Sequence, residues 1–254
     1  MAMYPVEQEE PSENFRIAWA CAGKHIQQMG QGGVIWLRAD LNPPMAEHLS
    51  FRIGNQLFFI FVATPEAPFN PERNHIFLDV ASEATAIPCI IEMQSSKGAF
   101  EPINYGWGMI NAITGKPVNP LELVSDELIE MSDWELHDFA VQVVRTQLEN
   151  DGKKIFGVQP SPHIQPSLWF EDKQGSHWVV IKATRYPNKY AELPANIEEM
   201  NQFFSSKGMR GYIARLIVAN ANDPFDPLAI ENGNFIPVFR GHGLMPLFKG
   251  LEPI

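Results

Sequence analysis

Cysteine is scarce in this sequence, which excludes the structures that depend on it. The 254 residues include two cysteines, Cys21 and Cys89, and neither stands in a C-x-x-C pair or at zinc-ligand spacing from a histidine. A disulfide-stabilised chain carries several cysteines, and a structural zinc site needs four closely spaced ligands. We therefore expect no disulfide framework and interpret both cysteines as small core side chains.

Positive charge is also in short supply. Nineteen Lys and Arg residues stand against 30 Asp and Glu residues, which gives a formal net charge of −11. Binding to nucleic acid depends on cations that neutralise phosphates, so this balance predicts that nucleic acid is not a partner. The apolar share of 45% is ordinary for a globular protein and supports a packed core.

No apolar stretch is long enough to cross a membrane. The longest uninterrupted one, 57–63, has seven residues, whereas a membrane-spanning helix needs about 20. The first ten residues are acidic and lack the apolar segment of a secretory signal. We therefore expect a cytoplasmic protein with no membrane partner.

Motifs that identify a reaction are missing as well. The chain has no G-x-S-x-G, Walker or G-x-G-x-x-G pattern, and its seven histidines lack the i, i+4 spacing of a helical metal site. From the residues alone we predict no catalytic residue, no cofactor-binding residue and no metal ligand, and we expect no cofactor.

What the sequence does contain is an internal repeat. The word SSKG occurs at 95–98 and again 110 positions later, at 205–208. Other segments align in the same order: 49–51 with 168–170, 59–64 with 179–184 at an offset of 120, and 109–123 with 216–230. We interpret these matches as a tandem duplication. The alternative is that two α/β domains share short local patterns by chance.

The second copy predicts the order of elements most clearly. Ser132 and Glu135 form a capping-box pattern ahead of apolar residues at helical spacing. Apolar or alternating runs then predict three strands, a second helix and a fourth strand, over 154–158, 167–170, 177–183, 195–206 and 212–219. The segment 234–240 could add a further short strand.

The first copy follows the same order, with one segment left open. A helix is predicted to start at Ser12, followed by strands over 34–37, 48–53 and 56–63, and 105–113 is predicted as the fourth strand. The run 87–94 reads as a strand by itself, but alignment with the second copy would make it a short helix.

Together these patterns predict an α/β (α+β) protein of two tandem α-β-β-β-α-β repeats that form an intramolecular pseudo-dimer. The first repeat spans 12–125 and the second spans 132–240. The segment 241–254 is an apolar C-terminal tail, which we expect to dock on the body of the protein or on a partner, because in water it would expose several large apolar side chains.

The second repeat, in which a Pro-Ser pair opens one strand and WVVIK forms the next, resembles the restriction-endonuclease-like fold of the PD-(D/E)XK nucleases. The resemblance implies a Mg²⁺-dependent nuclease, with one acid after the proline and another two residues before the lysine. Ser167 and Val180 stand at those two positions and leave Lys182 without metal ligands. In the first repeat Ile60 and Val62 match Val180 and Lys182, so we expect that half to be catalytically silent.

A nuclease that acts from the second repeat is nevertheless one alternative. Its catalytic residues would be Glu135, Glu171 and Lys182, with Asp172 as a substitute for Glu171. The competing interpretation is structural: Glu135 is then the acid of the capping box, and Glu171 and Asp172 belong to a solvated hairpin.

A second resemblance concerns binding proteins. A helix, three antiparallel strands, a second helix and further strands also resemble type III secretion chaperones, small acidic domains that dimerise. This resemblance rests on the order of elements and on the low pI of about 5.1. It implies a protein partner in place of a substrate.

We therefore expect a non-catalytic protein–protein interaction module, adaptor-like or chaperone-like, rather than an enzyme. The negative surface favours a basic protein partner, and a groove at the junction of the two halves would be its binding place. The sequence leaves open the identity of the partner and the oligomeric state.

Overall fold

The structure is a computed structural model that describes residues 10–39, 41, 48–96, 98–159, 161–223 and 225–254. The chain divides into two compact units, Met1–Leu128 and Ile129–Ile254. The predicted repeats each fall within one unit. In the ranges that the structure describes, no helix is both long and apolar enough to cross a membrane.

The first unit begins with the predicted helix. Ser12 caps it by accepting a hydrogen bond from the Phe15 N–H at 3.2 Å. Its elements are α1 (Glu13–Met29), β1 (Ile35–Arg38), β2 (Leu49–Ile53), β3 (Gln56–Ala63), α2 (His75–Glu83), β4 (Ile87–Ser96), β5 (Ala99–Pro102), β6 (Met109–Asn111) and α3 (Pro120–Leu123).

The second unit also begins with its predicted helix, and the capping box is present. Ser132 accepts from the Glu135 N–H, while the Glu135 carboxylate accepts from the Ser132 N–H. Its elements are α4 (Asp133–Asn150), β7 (Lys154–Val158), β8 (Leu168–Asp172), β9 (Gly175–Arg185), α5 (Ile197–Ser206), β10 (Arg210–Asn220), α6 (Pro227–Glu231), β11 (Leu244–Phe248) and β12 (Glu252–Pro253).

The sheets of the two units have the same strand order. The first runs β1-β2-β3-β4-β5 with β6 also paired to β4, and the second runs β7-β8-β9-β10-β11 with β12 also paired to β10. In each sheet the first three strands are antiparallel, while β3 with β4 and β9 with β10 are parallel. A parallel pair needs a crossover, which α2 and α5 supply. The α/β (α+β) class and the repeated α-β-β-β-α-β order are therefore confirmed; the intramolecular pseudo-dimer stays a prediction.

The two sheets share an irregularity at the same place. Trp36 pairs with Phe51 and Arg38 with Ser50, so one extra residue lies between the two pairs at the β1–β2 edge. The β7–β8 edge has the same interruption, with Phe156 as the extra residue. A β-bulge at the same point of the same strand pair is independent evidence that one module occurs twice.

Strand register fixes how the two copies correspond. Ile53 pairs with Gln56 across a two-residue turn in the first unit, and Asp172 pairs with Gly175 across a two-residue turn in the second. Both strands of the hairpin therefore correspond at an offset of 119. The expected offset of 120 along β3 and β9 is wrong by one residue, and a slip of one residue turns each side chain to the other face.

Burial agrees with the corrected register. The core of the first unit contains Leu49, Phe51, Ile60 and Val62, and the core of the second contains their equivalents Leu168, Phe170, Val179 and Ile181. The helices contribute matching faces: Ala18, Trp19, Ala22 and Ile26 from α1, and Ala140, Val141, Val144 and Leu148 from α4.

The segment that was left open, 87–94, is a strand. It forms β4, which pairs in parallel with β3 and is the fourth strand of the repeat. The prediction of that strand at 105–113 is wrong, because 109–111 forms β6, antiparallel to β4. The sequence patterns did not predict α2. Asn74 precedes this helix, but its side chain accepts from the Asn70 N–H and does not cap the helix.

Two of the sequence matches are therefore local coincidences. Ser205 and Ser206 end α5, whereas Ser95 and Ser96 end β4. The match of 109–123 with 216–230 pairs β6 with β10, which are not equivalent. It does identify a shared local structure, since Asn119 and Asp226 both cap a short helix that begins with proline.

The predicted tail 241–254 is part of the second sheet. Its strands β11 and β12 both pair antiparallel with β10, so the tail docks on the second unit itself. Between β10 and β11 the chain inserts 221–243, where the first unit has only 97–98 between β4 and β5. Within the described part of that insertion, 234–240 forms no strand; Phe239 makes a single bridge to Glu130.

One buried titratable side chain lies at the start of β2. His48 is fully buried and stacks on Phe59, with 4.1 Å between ring centroids. Burial, and secondarily the charge of Arg38, hold the pKa of His48 well below its ordinary value of 6.5. In the unfolded chain His48 therefore takes up a proton near pH 6.5, whereas in the folded chain it stays neutral at that pH.

We predict that the free energy of unfolding falls as the pH drops below about 6.5, by up to about 1.4 kcal/mol per pH unit for this group. Above that pH the contribution of His48 is constant. Urea unfolding of the wild type and of His48→Phe between pH 7.5 and 5 measures it, with the exposed His75→Phe as control. The slope should shrink for His48→Phe alone; equal slopes in all three proteins would refute the assignment.

Candidate functional site

The residues of the nuclease alternative do not come together. Glu171 is exposed on β8 and pairs with Ser176, six residues before Lys182 on β9. Six residues of strand span about 20 Å. Lys182 also lies on the sheet face opposite Ile181, whose face packs against α4, the helix that carries Glu135. Lys182 is half-buried, and desolvation lowers its pKa.

The positions of the two implied metal-binding acids do not fit Mg²⁺. Ser167 and Val180 are both fully buried, and the Ser167 hydroxyl donates to the Gln165 side chain at 2.8 Å. One hydroxyl and one isopropyl group are not the carboxylate set that Mg²⁺ prefers. In the corrected register Phe61 and Ala63 are the equivalents of Val180 and Lys182 in the first unit, and they too provide no oxygen ligand.

Glu135 has a structural role that involves the insertion. Its Oε2 atom lies 2.8 Å from two nitrogens of Arg240, and both side chains are buried. Arg240 closes the insertion, and backbone bonds from the Met131 and Arg240 N–H groups to Val238 and Ile129 hold it there. Glu135 therefore completes the capping box and, through its ion pair with Arg240, also holds the C-terminal part of the insertion against α4.

A cavity of about 490 Å³ lies elsewhere in the second unit, near the end of α4 and the beginning of β10. A cavity of this size can hold a small molecule or a large side chain. The residues that line it are Gln147, Leu148, Asp151, Lys153, Phe170, Asp172, Tyr212, Phe248, Lys249, Gly250 and Leu251. We call it the β10 pocket.

A polar network forms one wall of the β10 pocket. Lys153 Nζ donates to Asp172 Oδ2 at 2.7 Å, and Asp172 Oδ1 lies 2.8 Å from His177 Nε2. The Gln174 N–H also donates to Asp172 Oδ1, at 2.7 Å. The hydrogen bond from Lys153, followed by those from His177 and Gln174, holds the pKa of Asp172 far below its ordinary value of 3.8.

Aromatic rings cover this network. His177 is 1% exposed, and its ring lies 4.7 Å from Phe170 and 5.6 Å from Tyr212 between centroids. Within the described part of the chain, His177 Nδ1 is buried without a hydrogen-bond partner. The pocket thus combines aromatic walls with a fixed charged pair, the usual composition of a binding site.

The equivalent positions of the first unit are entirely apolar. The strand register assigns Val34, Ile53, Phe58 and Cys89 to the positions of Lys153, Asp172, His177 and Tyr212. All four apolar side chains are buried in the core of the first unit. One copy of the module therefore has a sealed core at the place where the other copy has a polar wall.

At the corresponding place in the first unit, a tryptophan belongs to the buried core. Trp107 comes from 103–108, which connects β5 to β6, and it stacks parallel to Phe51 with 6.5 Å between centroids and 7° between planes. Phe51 is the equivalent of Phe170. In the second unit the matching connection between β11 and β12 has only three residues, 249–251, and contains no tryptophan.

Sequence reasoning did not identify this site. There His177 is only one of seven histidines without metal-site spacing, and Asp172 is either a substitute for Glu171 in the nuclease alternative or part of a solvated hairpin. The signal becomes visible only in the correct register. At an offset of 119, Lys153, Asp172 and His177 replace apolar residues on the core side of the repeat, and Tyr212 replaces Cys89 at an offset of 123. No three His, Cys, Asp or Glu residues in the described ranges are grouped so that they could hold a metal ion.

Comparison with known proteins places the β10 pocket within one recognised region. Residues 134–254 match a family model described as Domain of unknown function (DUF8840). The matched range includes every residue that lines the pocket. No curated protein and no solved structure matches the chain.

The buried ion pair between Glu135 and Arg240 should be costly to break. Glu135→Gln should lower the free energy of unfolding by about 3 kcal/mol or more, because it breaks a buried ion pair with Arg240. Arg145→Met, on the same helix, breaks the exposed pair with Glu149 and should cost at most about 1 kcal/mol. Urea unfolding measures both; equal small losses would mean that Glu135 does not hold the insertion.

The filled first copy gives a second prediction. Trp107→Ala should destabilise the protein by about 3–5 kcal/mol and leave a cavity against Phe51. Added indole should then recover part of the thermal stability, because it refills the cavity. Thermal unfolding with and without indole measures the recovery, with Trp36→Ala as control because Trp36 is only partly buried at the edge. A variant that is neither destabilised nor rescued would show that Trp107 does not fill the core.

Proposed function

We propose that the chain is a non-catalytic protein-binding module, in which the second unit binds the partner and the first unit is a sealed scaffold. One observation carries the proposal: the same position of the same module is filled by Trp107 in one copy and lined by Lys153 and Asp172 in the other. We infer that a side chain of the partner occupies the β10 pocket as Trp107 occupies its counterpart.

The energetics of the second core support a binding role. Replacement of buried apolar residues by a charged pair and a histidine gives up apolar burial worth about 1.5–3 kcal/mol for each large side chain. A stable fold does not need this change, since the first unit retains the apolar residues. Binding sites are places where proteins accept such a cost.

The edge strand β11 carries apolar side chains on both of its faces. Phe248 lines the pocket, whereas Met245 and Leu247, 42% and 38% exposed, lie on the opposite face of the strand and do not surround the pocket. The net charge of −11 favours a partner with a basic surface around the anchor.

The nuclease alternative lacks a comparable observation. Glu171 pairs with Ser176, six residues before Lys182, and Lys182 lies on the sheet face opposite α4. Glu135, on α4, is bound to Arg240. The two family resemblances stay predictions. Incubation of single- and double-stranded DNA with the protein and Mg²⁺ or Mn²⁺ tests the alternative; cleavage that Lys182→Ala abolishes would replace our proposal with an enzyme.

The proposal predicts that filling the pocket abolishes partner binding. Leu251→Trp places an indole at a position that lines the β10 pocket. Quantitative mass spectrometry of proteins that bind the wild type, Leu251→Trp and a surface control, Leu128→Trp, should identify a partner that is lost from Leu251→Trp alone. Direct titration of that purified partner should then show at least a hundredfold loss of affinity.

Two further results decide the matter. Lys153→Met, which removes the charge on the pocket wall, should also weaken the same partner, so the conclusion does not depend on how Leu251→Trp folds. A partner that binds the wild type, Leu251→Trp and Lys153→Met with equal affinity would contradict a role for the pocket.

A further inference from the structure

We infer that the β10 pocket recognises the C-terminal residue of the partner when that residue is aromatic, with the ring between the aromatic walls and the terminal carboxylate on lysine. This inference rests on the proposed function and adds the chemistry of the anchor. A C-terminal aromatic residue is the expected ligand because it carries both a ring and a carboxylate.

The shape of the pocket supports an aromatic ring. In the first unit the occupant of the same space is an indole, held parallel to Phe51. Phe170 replaces Phe51 at the pocket, and Tyr212 and Phe248 add two more rings to the lining. Aromatic rings bind well between such surfaces because they bury a large area and stack in defined orientations.

The hydrogen-bonding groups of the pocket support a carboxylate. Asp172 already accepts from Lys153, His177 and Gln174, which leaves about one of the four lone-pair sites of its carboxylate. Lys153 keeps two of its three N–H groups for a ligand, and Lys249 forms no hydrogen bond or ion pair with the described residues.

The cationic donors of the pocket are less engaged than its carboxylates. The Tyr212 hydroxyl can also donate, whereas one oxygen of Asp151 accepts from Gln147 at 3.1 Å and Asp172 accepts from three donors. A carboxylate, which only accepts hydrogen bonds, matches the open lysine N–H groups. Lysine ammonium groups also pair with it by charge.

The free ammonium group of an amino acid has no equally good position. Three hydrogen bonds already engage the Asp172 carboxylate, and Asp151 is exposed to water at the end of α4. The ligand nitrogen is therefore better placed in a peptide bond outside the pocket than in a charged ammonium inside it. This favours a chain terminus over a free aromatic amino acid.

Four probes test the inference on the full chain: acetyl-tryptophan, acetyl-tryptophanamide, acetyl-Gly-Gly-Trp with a free carboxylate, and indole-3-acetate. Binding is followed by ¹H–¹⁵N NMR shifts of Tyr212 and Gly250. We expect acetyl-Gly-Gly-Trp to bind at least as tightly as acetyl-tryptophan, and acetyl-tryptophanamide to bind about tenfold more weakly, because it lacks the charge.

Variants connect the effect to the pocket. Lys249→Gln should remove most of the difference between acetyl-tryptophan and its amide, whereas Lys116→Gln in the first unit should leave it unchanged. Leu251→Trp should abolish binding of all four probes. Since Lys249 is exposed, its variant tests the carboxylate contact without disturbing the core.

The outcomes separate this inference from the proposed function. Equal binding of acid and amide, or no binding of any probe, would overturn the carboxylate-and-ring assignment, even if a partner is still lost from Leu251→Trp. Tight binding of indole-3-acetate with exclusion of the peptide would identify a small-molecule site and overturn it as well. If only the proposed function is wrong, the partner will bind Leu251→Trp as tightly as it binds the wild type.

Discussion

The alternation of side chains along paired strands is the constraint on which this structure depends. Once the two-residue turns set the register, every position of β2, β3 and β4 has a fixed face, and the same holds for β8, β9 and β10. The helix that opens each repeat packs on one face only. Each position on that face therefore has one counterpart in the other copy, and its residue can be compared directly.

That comparison separates two uses of one module. In the first unit the positions near the start of β4 are apolar, and Trp107 closes the core over them. In the second unit the chain shortens the last connection and places a hydrogen-bonded pair, Lys153 and Asp172, on the wall of the resulting space. The charges are tolerated because each is paired and the carboxylate has further donors. The insertion 221–243 is held at the other end of the sheet by Glu135 and Arg240, away from the pocket.

Sequence reasoning recovered the parts of the fold that local patterns specify. Helix caps at Ser12 and Ser132 and the alternating strands predict the α-β-β-β-α-β order correctly in the second copy. The helix α2 has no side-chain cap and follows a proline-rich stretch, so the sequence did not predict it. Without α2, the fourth strand of the first copy was wrongly predicted at 105–113. His177 could not be recognised, because an offset of 120 instead of 119 along β9 assigns it to the wrong face, and Asp172 lies beyond the matched segment 168–170. The correct offset follows only from the pairing of strands across the sheet.

The β10 pocket differs from its counterpart in the first unit by being open to solvent where the first copy is sealed. Paramagnetic relaxation of side-chain NMR signals by a soluble gadolinium chelate tests this most directly. The account predicts strong enhancement for the Tyr212 ring and the Leu251 methyl groups, and weak enhancement for the Trp107 ring and the Met109 methyl group. Weak and equal enhancement at all four residues would contradict it, since the second core would then be closed as well.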